Sequence, residues 1–120
     1  MPLTNLFPLS LYNSKIILSN DENKNLVDHI LQCKKKGENK RYKENTFAWT
    51  GDQEGYGEIH NQEIFKNLFE NIKIKVIEYL DLLSIDHTQL DIYFQRSWAT
   101  ISEEKEFIGR HSHSQSHLSF

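Results

Sequence analysis

The chain contains one cysteine and two prolines in 120 residues. A single Cys33 rules out an intramolecular disulfide and any zinc site built on cysteine pairs. Its position after Leu26 and Ile30 makes it a small buried hydrophobe of a helix rather than a nucleophile. No apolar run approaches the ~20 residues of a spanning helix. The N-terminus also lacks the charged-then-apolar layout of a secretory signal. The expectation is a soluble, cytoplasmic protein with no membrane partner. Positive charge is not in excess either, since 14 basic residues face 17 acidic ones for a formal net charge of −3. That balance gives no electrostatic case for nucleic acid. The one dense basic cluster, Lys34-Lys35-Lys36 with Lys40 and Arg41, reads as a solvated helix end where cations favour the dipole. No repeat recurs at solenoid periods.

An apolar fraction of 38% beside 26% charged residues fits one globular domain, taken here as residues 1–120. Leu3 to Leu18 alternates imperfectly around Pro8, as an edge strand, a pair of short strands or an entry segment would. Ser19-Asn20-Asp21-Glu22 fits a capping box, so a first helix should begin after Ser19 or Asn20. Leu26, Ile30 and Cys33 form its buried stripe, and Gly37 can end it. His29, near that stripe, reads as structural or exposed. Residues 38–60 lack periodicity and carry Gly51, Gly55 and Gly57. Within them Phe47, Trp49 and Tyr56 either pack on a sheet or cover a cofactor entrance. A second helix is predicted from about Asn61 to Leu83, with Phe65, Leu68, Ile72, Val76, Tyr79, Leu80 and Leu83 on one face. Lys66, Glu70, Lys73 and Asp81 take the other side.

Leu90 to Ile101 alternates as a strand does, which puts Arg96, Trp98 and Thr100 on the Leu90 face. Arg96 there is odd unless it meets a carboxylate, a ligand or the strand edge, and a structural ion pair with an acidic residue is the expected case. Ser102 to Glu106 is a charged turn. Its Glu103, Glu104 and Glu106 could reach a metal only if the turn folded back. The last eleven residues hold three of the six histidines. His111 and His113, two apart, would project from one face of a strand, and paired neutral imidazoles suit a divalent transition metal. His117 could share that face. The alternative is a solvated histidine- and serine-rich tail.

Trp98-Ala99-Thr100-Ile101, then Gly109-Arg110-His111-Ser112-His113, then Ser116-His117-Leu118-Ser119 resembles one group of 2-oxoglutarate- and iron(II)-dependent oxygenases. In that group a tryptophan-bearing strand leads through a glycine-containing loop to a His-x-His pair and a Ser-Gly-x-Tyr-Tyr strand. The series extends upstream through Leu6-Phe7-Pro8-Leu9, a first helix, the Trp49-Thr50 loop and a longer second helix. The chain departs from the pattern at Ser119-Phe120, where the group has Ser-Gly. The resemblance implies an α+β fold in which helices pack on a mainly antiparallel sheet, the N-terminal part of a double-stranded β-helix of the jelly-roll or cupin-like kind. It implies iron(II) and 2-oxoglutarate as cofactors, His111 and His113 as metal ligands, and hydroxylation of a small-molecule or protein substrate. His113 falls where related enzymes carry Asp or Glu. The distal histidine and the 2-oxoglutarate-binding arginine of the group fall beyond Phe120. The expectation is therefore the N-terminal portion of a larger oxygenase domain, prone to form a homo-oligomer through unpaired strand edges. Two other readings remain open: a non-catalytic cupin-like metal-binding module, and a small α+β interaction domain.

Overall fold

The computed structural model describes residues 10–36, 47–112 and 118. The predicted strand signals before Ser10 and the helix-ending Gly37 lie outside them. Four regular elements follow one another: helix α1 (Asn20–Lys36), strand β1 (Trp49–Thr50), helix α2 (Lys66–Leu82) and strand β2 (Thr100–Ile101), with four short 3-10 turns between them.

The capping box sets the start of α1. The Ser19 backbone N–H donates to Glu22 Oε2 at 2.8 Å, and the Glu22 N–H donates to Ser19 Oγ at 3.2 Å. Two donors that the first helical turn leaves without partners are thereby satisfied. Asn67 Nδ2 donates to the other Glu22 oxygen at 2.6 Å, so the cap also fastens α1 to α2. These bonds, the backbone one from Ser19 foremost, hold the Glu22 carboxyl below its ordinary range. Asp21 and Glu22 lie in the first turn of α1 and Lys34, Lys35 and Lys36 in the last, matching the helix dipole at both ends. Lys34 is not simply solvated, because its ammonium pairs with Glu103 at 2.5 Å.

The second helix starts later than its pattern predicts. Apolar spacing runs back to Asn61, but Gln62 adopts an extended backbone (φ −90°, ψ 132°) between two 3-10 turns, Ile59–Asn61 and Glu63–Phe65. Asn61 is therefore no cap; its Nδ2 donates to Glu58 Oε2 at 3.0 Å. From Lys66 onward the predicted stripe holds, with Leu80 buried and Leu68 and Ile72 partly buried. Phe69 joins it, which the counting passed over, and Leu83 lies exposed. The chain leaves α2 through Ser84 in the left-handed region (φ 56°), with the Ile85 N–H donating to the Leu80 carbonyl at 2.9 Å. That bond closes a helix end without glycine.

The strand predicted over Leu90–Ile101 is the main correction. Among the described residues only Thr100–Ile101 belongs to a ladder, antiparallel to Trp49–Thr50 in the register Trp49↔Ile101 and Thr50↔Thr100. The ladder stops because its partner turns away. Gly51 still donates its N–H to the Ala99 carbonyl at 2.9 Å, and then residues 51–54 coil into a 3-10 turn. A β-carbon on Gly51 would stand 3.2 Å from the Trp49 ring and 3.3 Å from Tyr56 Cβ, so the turn needs the bare backbone there. Upstream of the ladder, Ser97 forms an isolated parallel bridge with Glu58. The result is a mixed helical and strand fold, coarsely α+β, with a two-stranded antiparallel ribbon.

The core forms where these elements meet. Leu26 of α1, Ile59, Phe65 and Phe69 of α2 are buried together. Leu18, Ile30, Tyr56, Leu68, Ile72, Phe94 and Ala99 pack around them. Residues 10–18 run as a non-helical strap to α1. The Tyr12 ring stacks on Tyr79 at 5.7 Å and its hydroxyl donates to Glu78 Oε2 at 2.6 Å. Lys75 in the first place, and Tyr12 after it, hold the Glu78 carboxyl below its ordinary value. A depressed folded-state pKa contributes stability above the unfolded value and loses it as pH falls through the folded one. The Tyr12 attachment is therefore expected to loosen below the usual carboxylate range. Amide chemical shifts of residues 10–14 followed during acidification would show it, and Glu78→Gln should erase that step.

Candidate metal centre

The histidine segment is positioned by a change of partner. After β2 the chain turns at residues 102–106, where the Glu106 N–H donates to the Glu103 carbonyl at 3.1 Å and the Glu103 N–H donates to Glu106 Oε2 at 2.7 Å. Lys105 takes a left-handed backbone (φ 69°) in that turn. The returning chain forms a parallel bridge between Phe107 and Phe47, whose rings lie 4.8 Å apart. The Ala48 N–H donates to the Phe107 carbonyl at 2.9 Å. Gly109 follows beside the Phe47 ring, with His111 two residues on.

His111 is exposed, and its Nδ1 lies 2.9 Å from the Gly109 carbonyl oxygen. A carbonyl only accepts, so Nδ1 must carry the proton. In the neutral ring the lone pair then sits on Nε2. This is the usual arrangement of a metal-binding histidine, whose second ring nitrogen donates to a backbone carbonyl or carboxylate. The donor chemistry therefore suits a transition metal at His111. His113 and His117, the other two candidates, lie outside the described residues. No group of three His, Cys, Asp or Glu side chains that could hold a metal forms among the described residues.

Several acids and histidines near these elements have other partners. Glu103 is paired with Lys34, whose hydrogen bond holds the carboxyl below its ordinary range. His29 Nε2 meets Gln62 Oε1 at 2.9 Å, as a structural histidine would. His87 Nδ1 meets Asp81 Oδ1 at 2.8 Å at the far end of α2. Arg96 approaches Asp52 at 3.7 Å and lies over the Trp98 ring at 5.5 Å. Asp52 thus supplies the structural carboxylate expected for Arg96. A scan of protein families, a search of curated proteins and a search of solved structures all find no match to this chain.

The aromatic residues of the glycine-rich connection pack inward, as expected of large apolar groups. Trp49 is 4% exposed and Tyr56 half-buried, with ring centroids 6.4 Å apart. Burial, and then the neighbouring Cys33 thiol, push the Tyr56 hydroxyl up in pKa. Cys33 is buried, in line with its reading as a core residue. The Trp49 Nε1–H is buried without an acceptor among the described residues. Phe47, by contrast, stays substantially exposed.

Sequence reading passed over the pairing of His60 with Ser97. Ser97 is a buried polar residue whose Oγ accepts the His60 backbone N–H at 3.0 Å and lies 2.6 Å from His60 Nδ1. The imidazole is flanked by Phe69 and Phe94, with ring centroids 5.9 Å and 5.7 Å away. The Ser97 N–H donates to the Gly57 carbonyl at 3.0 Å, and its carbonyl accepts the Ile59 N–H at 3.1 Å. Serine beside histidine suggests a nucleophile and its base, but every one of these bonds ties residues 57–60 to Ser97, just ahead of the ribbon. Ser97 is a structural fastener.

Proposed function

We propose that the chain is the opening portion of a 2-oxoglutarate- and iron(II)-dependent oxygenase of the double-stranded β-helix kind, with His111 as its first metal ligand. The observation that carries this reading is the His111 Nδ1 to Gly109 carbonyl bond of 2.9 Å, which sets the tautomer a ligand histidine needs. The order of elements supports it too. The short strand Thr100–Ile101, which follows Trp98, pairs with the Trp49–Thr50 strand ahead of the histidine segment. Helices α1 and α2 share one core with Phe94 and Ala99 of that strand region. In this reading the Gly109 carbonyl holds the His111 ring in orientation, and His113 supplies a second imidazole. Bound iron(II) and 2-oxoglutarate would let dioxygen, the oxidant, hydroxylate a C–H bond, one oxygen atom entering the substrate and the other converting 2-oxoglutarate to succinate and carbon dioxide. The substrate class, small molecule or protein side chain, is left to the assay.

Two measurements test it. Titration of the chain with zinc(II), followed through imidazole C–H resonances, should shift His111 first, and His111→Ala should weaken binding by about tenfold or more. Succinate formation from 2-oxoglutarate with iron(II), assayed on the full gene product, should disappear in the same variant. Metal binding without succinate would favour the non-catalytic cupin-like module, and neither would favour a small interaction domain. Unchanged binding and turnover in His111→Ala would remove His111 from the ligand set.

A further inference from the structure

We draw no further inference here: the strongest candidate, the exposed apolar side chains Leu82, Leu83, Ile85, Leu90 and Tyr93 at and beyond the C-terminal end of α2, carries nothing because nothing in the structure shows what covers them.

Discussion

Phe65→Ala should destabilise the chain by about 3–5 kcal/mol, the usual cost of emptying a buried phenylalanine site. Phe65 is 1% exposed and sits among Leu26, Ile59 and Phe69, with the His29 ring edge-on at 5.7 Å. It is the last residue of the 3-10 turn that precedes α2, so its ring anchors the point where the helix begins. Neighbours from α1, the Ile59 turn and α2 would each have to move to fill the void. Small domains hold only ~5–15 kcal/mol in all, so the loss removes a large share of the chain's stability. Urea unfolding followed by tryptophan fluorescence gives the number. Phe47→Ala, at an exposed ring, serves as the reference and should cost far less. Similar losses for the two variants would contradict the placement of the core around Phe65.

Ser97→Ala should cost about 1–3 kcal/mol, because two polar groups lose their partner where water reaches poorly. The His60 N–H and Nδ1 both depend on Ser97 Oγ. Alanine at 97 strands both of them beside Phe69 and Phe94. Ser102→Ala provides the contrast, since the Ser102 hydroxyl is exposed and makes a single bond to the Glu106 carbonyl at 3.2 Å. A double-mutant cycle with His60→Ala isolates the pair, and the two losses should be strongly non-additive. If Ser97→Ala were as mild as Ser102→Ala, the fastening role would be wrong.

How much of this could be read in the residues follows from the range of the interactions involved. The α1 boundary was legible because a capping box is complete within four residues, Ser19 to Glu22. The buried stripe of Leu26, Ile30 and Cys33 was legible for a similar reason, since helical periodicity is a local property. The late start of α2 was not, because apolar spacing passes through Gln62 unbroken while its backbone there is extended. The Leu90–Ile101 strand was overextended because alternation reports which side chains face inward, not whether a partner strand runs alongside. Ile92 and Phe94 are less exposed than Asp91, Tyr93 and Gln95, but Leu90, Arg96 and Thr100 of the same predicted face are exposed and Ser97 of the other is buried, so the alternation slips after Phe94. Their ladder fails because the partner coils away at Gly51. The Ser97–His60 bond joins positions 37 apart, and no local spacing marks it. At the candidate metal centre, the histidine pattern singled out His111, but its tautomer depends on a carbonyl that only coordinates reveal.

The pairing of Thr50 with Thr100 has a kinetic consequence. Closing a loop of that length costs roughly 3.5 kcal/mol of chain entropy on the logarithmic loop law, and a two-residue ladder returns little of it. Helix α2 forms from near neighbours and incurs no such closure. The docking of residues 57–60 against Ser97 shortens the loop that remains before the ribbon can zip. The expected folding order is helices first, the Ser97 attachment next and the Trp49–Ile101 ribbon last. By the same ordering, the ribbon amides should exchange with solvent through openings that leave α2 intact.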